Sequence, residues 1–452
     1  MDIESLEIKG LHGYIDKFID FNNDLTILVG INGSGKTSVL NLINWITKPM
    51  ISELATLEFK KIILKLNHNN VKYTITCTQL QSNFSLLIQN DKGDKFFPLI
   101  VRRRINPKDI FSEDQKREII NYYARLQPVG REKKTLEIIS SFPKATIISL
   151  DRDLYIEDDS AIYIDRNGLI NQKINKKAIS PLEKVKEIVN TEYRKRRNDI
   201  LNLTNDLKNY LIYSTFDTGV ITVDAIHSSP KNRINAESIK TAQNKVKEYF
   251  EKLAISEHLG NEKNVLNNYF EQLSELLRIY SENRNNKELQ LLYTLNSVQF
   301  KKINKILKKF EEFEQNSSNT FSTINKFLEV TNFFLKDSSK QLVFKEDTAE
   351  ITFNALDKNN KKLLEYKDIS HLSSGERQIL ILFSYVAFNS YDGRIFIIDE
   401  PELSLHIKWQ EDFLEQLKSI SPKSTQIILA THSPILVNNS RDKVKLLFPF
   451  NN

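Results

Sequence analysis

The sequence predicts an α/β protein with a mixed sheet and an antiparallel sheet, interrupted by an inserted helical bundle or short coiled-coil arm. The runs Leu25–Val29 and Arg394–Ile398 are typical of buried strands, and they lie near opposite ends of the chain. Between them, long charged segments have a helix-forming composition. We therefore predict an N-terminal half over 1–175, a helical insertion over 176–338 and a C-terminal half over 339–452.

The N-terminal half begins with strand patterns that lead into a helix. Ile3–Ile8 alternates in polarity, and Leu25–Val29 stops at Gly30. A helix is predicted from Lys36, because apolar residues recur at helical spacing after it. An antiparallel sheet beside the first sheet is then predicted from three β-rich segments separated by turn residues. These segments are Leu57–Asn67, Val71–Leu80 and Phe84–Ile88, with turns at His68–Asn70 and Asn90–Asp94.

The insertion is predicted to consist of long helices. Its heptad order is imperfect, which favours a bundle or a short antiparallel arm over a long coiled coil. A helix of about 30 residues would span roughly 45 Å. A loop near Ser228–Pro230 interrupts any continuous helix. The helical segments are Leu182–Ile212, Ile239–Tyr280 and Glu288–Phe334.

Composition narrows the class of protein. With 452 residues and 40% hydrophobic content, the chain can bury a large core. The lone cysteine, Cys77, excludes a disulfide framework and a cysteine zinc site within one chain, and a reducing cytoplasm fits it best. Neither a secretory signal nor 18 consecutive apolar residues occurs, so we expect no membrane anchor. A formal charge of +6 leaves nucleic-acid binding open without requiring it.

The segment Gly30–Thr37 reads GINGSGKT and matches the P-loop pattern between a buried strand and a helix. Its glycines let backbone N–H groups surround phosphates, and the helix N-terminus favours an anion. Lys36 would neutralise the β- and γ-phosphates of ATP, while the Thr37 hydroxyl would hold Mg²⁺. An ordinary glycine-rich turn is the alternative, although the strand, loop and helix context favours the P-loop. The predicted nucleotide-binding residues here are Gly30, Asn32, Gly33, Ser34, Gly35, Lys36, Thr37 and Ser38.

A second buried strand delivers two adjacent carboxylates at its end, Asp399 and Glu400. Asp399 would reach the magnesium ion through water. Glu400 would orient and deprotonate the attacking water, as a general base. Alone, the segment is equally well explained as a strand that ends in an acidic turn.

Two further segments have both a structural and a functional interpretation. Ser373 and Gly375 lie at the start of the apolar helical run Ile379–Ala387, where a helix N-terminus could hold a phosphate. The S-x-x-E spacing of Ser373 and Glu376 also predicts a plain capping box. His432 follows the buried strand segment Ile427–Ala430 and is either structural or a hydrogen-bonding partner of the γ-phosphate.

Together these four motifs, NGSGKT, LSSGE, IIDEP and THSP, resemble those of ABC-type ATPases of the SMC, Rad50 and RecF-like branch. The resemblance covers about 1–100 and 340–440 and implies a P-loop ATPase head with a helical insertion. It also implies that Ser373 and Gly375 contact the γ-phosphate of ATP bound by another subunit, so that the protein works as an ATP-dependent dimer or higher oligomer.

Two departures from the transporter pattern make the chain more similar to overcoming-lysogenization-defect-like bacterial ATPases, also called AAA15 or AAA21. Ser374 stands where transporters have a glycine, and the segment Glu402–His406 replaces the transporter loop that ends in Asp. The glutamine of the usual Q-loop has no clear position, and Gln79 and Gln81 are its candidates. Rad50 proteins carry very long coiled coils with a Cys-x-x-Cys hook, and this insertion contains no cysteine. Only about 20 residues follow His432, so we expect any Toprim nuclease to be a separate chain.

Stand-alone ATPases of this shape resemble the ATPase subunits of bacterial anti-phage systems such as PARIS or Septu, which act with a separate Toprim or HNH effector. The alternatives are a RecF-like DNA repair clamp and, more weakly, the nucleotide-binding subunit of a transporter. Basic clusters could follow a nucleic-acid backbone, although a solvated surface is their ordinary explanation. These clusters are Arg102–Arg104, Arg131–Lys134, Arg194–Arg197 and Lys308–Lys309, and a strand-end pair, Asp151 and Arg152, is a further candidate.

Overall fold

Two compact units make up the chain in a computed structural model. The first contains Met1–Glu192 and Ile324–Asn452, and the second contains Tyr193–Thr323. The first unit is therefore assembled from both ends of the sequence, as an insertion requires. The structure describes residues 1–80, 83–102, 118, 122–123, 130–149, 162–164, 170–172, 180–216, 236–252, 262–388, 395–438 and 440–448.

A five-stranded sheet forms the centre of the first unit, in the order β16-β3-β15-β14-β8. All of its described strand pairs are parallel, whereas the sequence predicted a mixed sheet. Continuous apolar runs suit strands that are buried on both faces, and β14 and β15 are buried at every position. The strands are β3 (Leu25–Val29), β8 (Thr146–Ser149), β14 (Ile395–Asp399), β15 (Gln426–Thr431) and β16 (Val444–Leu446).

The predicted antiparallel sheet is confirmed, and it has six strands in the order β2-β1-β4-β5-β6-β7. The predicted turn at His68–Asn70 joins β4 to β5, with positive φ angles of 52° and 60° at Asn69 and Asn70. The strand expected from Leu57 begins at Lys61, and an unpredicted short helix ends at Thr56 before it. The strands are β1 (Asp2–Leu11), β2 (Ile15–Asp20), β4 (Lys61–His68), β5 (Val71–Gln79), β6 (Asn83–Asn90) and β7 (Leu99–Arg102).

Helix α1 (Lys36–Thr47) begins at the predicted residue and shares one hydrophobic core with both sheets. Val39, Leu42 and Ile43 are fully buried in that core, together with residues of β1 and β15. Each fully buried side chain of this size contributes about 1.5–3 kcal/mol to folding. This packing holds the start of α1 against the parallel sheet. Two shorter helices in this part of the unit are α2 (Ile51–Thr56) and α3 (Glu132–Ser141).

The C-terminal half adds a three-stranded antiparallel sheet before its helices. Three strands, β11 (Lys340–Lys345), β12 (Glu350–Leu356) and β13 (Lys362–Asp368), pair in sequence order. A two-stranded pair, β9 (Ile162–Ile164) and β10 (Ile170–Gln172), is described separately. The helices of this half are α8 (Ser374–Phe388), α9 (Ile407–Ile420) and α10 (Pro434–Asn438).

The second unit is helical, and its core confirms the predicted bundle. Leu207, Ile239, Phe270 and Phe300 come from four different helices and belong to one buried cluster. The longest helix has 49 residues, a length of about 74 Å. Within the described part of the chain, no helix is both long and apolar enough to cross a membrane. The helices, parts of which lie in the first unit, are α4 (Pro181–Phe216), α5 (Ala236–Lys252), α6 (Glu262–Glu282) and α7 (Lys287–Leu335).

Candidate functional site

The loop between β3 and α1 has the backbone geometry that its glycines predict. Gly33 and Gly35 have φ angles of 80° and 88°, a region that side chains with a Cβ rarely adopt. At Gly30 the constraint is steric, because a Cβ there would lie 2.5 Å from the Leu447 carbonyl oxygen. The backbone therefore requires small residues at these positions before any nucleotide is considered. Asn32 and Thr37 are exposed, Ser38 is partly exposed, and Ser34 is buried.

Lys36 lies at the start of α1 with its ammonium group inside the loop. Its Nζ donates to the Gly30 carbonyl oxygen at 2.8 Å and lies 2.7 Å from His432 Nε2. Burial lowers the pKa of Lys36, although the nearby Glu400 and Asp399 carboxylates act in the opposite direction. The loop thus already surrounds the ammonium group with acceptors, which phosphate oxygens could replace.

The end of β14 brings Asp399 to the same loop. The Thr37 hydroxyl donates to Asp399 Oδ2 at 2.8 Å. The other carboxylate oxygen, Oδ1, is buried and has no hydrogen-bond partner among the described residues. Burial raises the pKa of Asp399, the hydrogen bond from Thr37 opposes this, and the Glu400 charge adds to the rise. Mg²⁺ prefers oxygen ligands, so an orphaned carboxylate oxygen beside a hydroxyl fits this ion.

Glu400 and His432 follow neighbouring parallel strands. Glu400 donates its backbone N–H to the Ala430 carbonyl oxygen at 2.8 Å and has a φ angle of 50°. Its Oε1 lies 3.5 Å from His432 Nε2. Because the carboxyl ends of parallel strands meet at one edge of a sheet, residues far apart in sequence converge here. We call Lys36, Thr37, Asp399, Glu400 and His432 the strand-end cluster.

Ser373 and Gly375 lie at the start of α8 and interact within their own segment. The Ser373 backbone N–H donates to Glu376 Oε2 at 2.7 Å, and the Glu376 N–H lies 3.4 Å from Ser373 Oγ. The structural alternative for these residues, a capping box, is therefore present. A Cβ at Gly375 would lie 2.5 Å from the Ser404 carbonyl oxygen. Across the described residues, no hydrogen bond joins Ser373 or Gly375 to the loop that holds Lys36.

Several other candidates have a structural role or lie outside the described residues. The Gln79 amide accepts from the Phe59 N–H at 3.1 Å and donates to the Leu57 carbonyl at 2.5 Å, so it stabilises a backbone turn. His406 caps helix α9 by accepting from the Lys408 N–H at 3.3 Å. The residues Gln81, Arg103, Arg104, Asp151, Arg152, Ser228–Pro230 and Arg394 are outside the described part of the chain.

No role in the site was predicted for Glu402 from the sequence, yet this residue lies beside the strand-end cluster. Its Oε1 accepts a hydrogen bond from the His432 backbone N–H at 2.6 Å. The signal available in the sequence was the third acidic residue of the Asp-Glu-Pro-Glu run that begins at Asp399. An acidic residue in a turn is common, so only the contact with His432 distinguishes it.

A family model described as an AAA ATPase domain, AAA_15, matches residues 1–437, nearly the whole chain. The chain belongs to this family. Its members are ATPases, and this activity implies that they bind a nucleotide and, typically, Mg²⁺. The strand-end cluster contains the residue types that such a site uses, an ammonium group, a hydroxyl, two carboxylates and an imidazole.

Relatives match only part of the chain. A protein named as the probable ATPase of retron Vc95, from Vibrio cholerae, is 25% identical over 195 residues, or 40% of this chain and 37% of the relative. The chromosome partition protein Smc of Lactiplantibacillus plantarum is 25% identical over 218 residues, or 46% of this chain and 17% of the relative. The match thus spans well under half of either relative, and it supports the resemblance to SMC-like ATPases.

One solved structure similar to this chain is the Smc head domain of Pyrococcus furiosus, with an extended coiled coil and the C-terminal domain of ScpA bound. The alignment covers 97% of this chain and 91% of that chain, with 16% identity and a TM-score of 0.36.

Proposed function

We propose that this ATPase binds ATP and Mg²⁺ at the strand-end cluster and hydrolyses ATP when two copies of the chain associate. The observation that carries the proposal is the convergence of the cluster at the carboxyl ends of three adjacent parallel strands, β3, β15 and β14. The contacts between Lys36 and His432 and between Thr37 and Asp399 join residues 396 and 362 positions apart. Such a convergence supports a shared chemical task.

Each residue of the cluster has a role that its position supports. Lys36 exchanges its carbonyl acceptors for phosphate oxygens, and its charge opposes the negative charge of the β- and γ-phosphates. Thr37 and Asp399 hold Mg²⁺, which neutralises phosphate charge when bound. Glu400 takes the proton from the attacking water as general base. His432, which lies between the ammonium and the Glu400 carboxylate, hydrogen-bonds the γ-phosphate and distinguishes ATP from ADP.

The second copy supplies Ser373 and Gly375 to complete the site. Within one chain, the hydrogen bonds of Ser373 stay inside its capping box, and Gly375 packs against the turn at Ser404. Within the described residues, no hydrogen bond joins the N-terminus of α8 to the phosphate loop of the same chain, so we propose that it serves a nucleotide held by a neighbour. A symmetric dimer would form two such composite sites, because the same two surfaces meet twice.

We further propose that the dimer is the sensor and regulatory ATPase of a bacterial anti-phage defence system, with a separate Toprim or HNH nuclease as effector. The similarity to a protein named as the probable ATPase of a retron supports a chain that acts as the ATPase component of a larger system. The effector stays outside the chain in this proposal, since the motifs of the sequence account for nucleotide chemistry alone.

A RecF-like clamp that binds DNA is the second candidate, and helix α7 carries the observation that favours it. The segment Leu289–Phe310 contains five lysines and no acidic residue. Its residues Lys301, Lys305 and Lys308 are exposed and recur at helical spacing. Such a stripe can follow a phosphate backbone, with binding that weakens steeply as salt increases.

The dimer is tested with Glu400→Gln, which keeps the shape of the side chain and removes the base. We expect this variant to bind ATP, to hydrolyse it at least about 100-fold more slowly, and to accumulate as a dimer with ATP but not with ADP. Light scattering after size exclusion measures the association. The exposed Glu415→Gln is the matched control and should behave like wild type. Wild-type hydrolysis by Glu400→Gln would reject the assigned base.

Co-purification separates the two biological roles. A nuclease that elutes with the chain in an ATP-dependent manner supports the defence role. DNA that binds without a protein partner, and loses affinity when Lys301, Lys305 and Lys308 are replaced by glutamate, supports the clamp. For three phosphate contacts, we expect log Kd for DNA to rise with a slope of about 3 against the logarithm of the salt concentration.

A further inference from the structure

The turn after β14 holds Glu402 in a fixed direction. Glu400 and Ser404 have φ angles of 50° and 68°, which residues with a Cβ adopt only when their surroundings impose it. The Gln378 amide donates to the Pro401 carbonyl at 2.6 Å, and the Leu405 N–H donates to the Glu402 carbonyl at 3.0 Å. The turn is therefore held by helix α8 and by its own hydrogen bonds.

The two carboxylate oxygens of Glu402 differ in their surroundings. Oε1 accepts from the His432 backbone N–H at 2.6 Å. Oε2 is buried and has no hydrogen-bond partner among the described residues. A buried acceptor without a donor is costly, so such an atom indicates a donor that arrives with a ligand or with water. The only other orphaned carboxylate oxygen in the described residues belongs to Asp399, in the proposed metal site.

A merely structural role of Glu402 does not require a carboxylate. A glutamine would accept the same hydrogen bond from the His432 N–H through its amide oxygen. The second oxygen, Oε2, is the acceptor that an amide would lack. The carboxylate instead suits a second acceptor for a donor that is absent without nucleotide.

We propose that Glu402 is a second carboxylate of the hydrolytic site, which positions His432 through Oε1 and accepts a hydrogen bond from the attacking water through Oε2. Water has two O–H donors. If Glu400 accepts one and Glu402 the other, a lone pair of the water is left to face the γ-phosphorus. The water oxygen then bonds to the γ-phosphorus, the bond to the β–γ bridging oxygen breaks so that ADP leaves, and Glu400 takes the proton of the water. This inference rests on the proposed roles of Glu400 and His432 and deepens them.

The decisive variant is Glu402→Gln, because its amide oxygen can still accept from the His432 N–H while its NH₂ group cannot accept from water. We expect kcat to fall at least about tenfold, with the Kd for ATP within about threefold of wild type. The thermal unfolding midpoint should stay close to that of wild type, since the hydrogen bond from the His432 N–H is kept. Glu402→Ala should lower kcat further, because the acceptor for His432 is lost as well.

The exposed Glu411→Gln, on helix α9, is the matched control and should keep wild-type kcat, Kd and midpoint. Glu402→Gln with wild-type kcat, beside an inactive Glu400→Gln, would overturn the role of Glu402 and leave the site assignment standing. A midpoint that falls together with kcat in Glu402→Gln would show a structural role and equally overturn it. An active Glu400→Gln would reject the site assignment and this inference with it. If Glu402→Ala does not fold, the proposed role of Glu402 is tested by Glu402→Gln alone.

Discussion

Lys340 Nζ lies 3.0 and 2.8 Å from the two carboxylate oxygens of Glu376, the third residue of helix α8. Glu376 is only 2% exposed, and it also accepts from Ser338 Oγ at 2.5 Å and from the Ser373 N–H at 2.7 Å. One buried carboxylate thus joins the chain that leaves the longest helix, α7, to the turn that carries Ser373. The neighbouring Asp337 accepts from Lys408 at 2.8 Å, which ties the same segment to α9.

Lys340→Met should destabilise the first unit by about 3 kcal/mol at neutral pH, because it leaves a buried carboxylate without its counter-charge. Urea unfolding monitored by tryptophan fluorescence measures the loss. Lys345→Met is the matched control, since it removes an exposed turn pair with Asp347, and its effect should be small. If the two variants lost the same free energy of unfolding, the buried pair of Lys340 and Glu376 would have no special role in stability.

The same pair predicts the direction of a pH effect. Burial acts to raise the pKa of Glu376, but hydrogen bonds from Lys340, Ser338 and Ser373 lower it below the ordinary value of 4.5. Its stabilising contribution is therefore fully present above pH 4.5 and is lost as the pH falls through the lower folded value. The stability difference between wild type and Lys340→Met should shrink on acidification over that range. A constant difference would show that the Glu376 charge is not involved.

Lys36→Ala should weaken ATP binding by at least about 100-fold, because the loop then offers no positive charge to the phosphates. Equilibrium binding of a fluorescent ATP analogue measures the change, and circular dichroism checks the fold. The exposed Lys61→Ala on β4 serves as the charge-matched control and should bind normally. Unchanged affinity of Lys36→Ala would remove the loop from the nucleotide site.

Mixing two inactive variants tests the composite site directly. A Lys36→Ala chain keeps Ser373, and a Ser373→Arg chain keeps Lys36, so a mixed dimer contains one intact site. Random mixing at equal concentrations should restore up to roughly a quarter of wild-type ATPase activity, because half of the dimers are mixed and each has one site of two. Activity that stays at background while the two chains associate would favour a site made within one chain.

Gly375→Ala should reduce stability by about 1–3 kcal/mol, since its Cβ would lie 2.5 Å from the Ser404 carbonyl oxygen. The backbone carbonyl belongs to a turn with little freedom to move. Ser374→Ala, one residue earlier and exposed, should stay within about 0.5 kcal/mol of wild type. Thermal unfolding of the nucleotide-free protein separates this packing effect from any contact with ATP. Equal stability of the two variants would show that the Ser404 carbonyl moves enough to accommodate the added methyl group.

Short sequence patterns were enough to predict much of the fold. The run Leu25–Val29, the glycines after it and the apolar spacing from Lys36 predicted a strand, a turn and a helix, and each is present. The turn at Asn69 and Asn70 could be predicted from the sequence because asparagine tolerates positive φ angles. Element boundaries were predicted less well, because local propensity does not fix the residue at which strand pairing begins. The strand expected at Leu57 starts at Lys61, and the short helix α2 before it was not predicted.

Tertiary structure decided what these residues contact. Gln79 looked like a candidate for the nucleotide site and instead holds a backbone turn, while Glu402 was overlooked and lies against His432. Gly375 is required by the Ser404 carbonyl, and Glu376 is held by Lys340, two relationships that no local spacing encodes. The physical reason is that hydrophobic period and turn chemistry act over a few residues, whereas strand order in a parallel sheet determines which distant side chains share an edge.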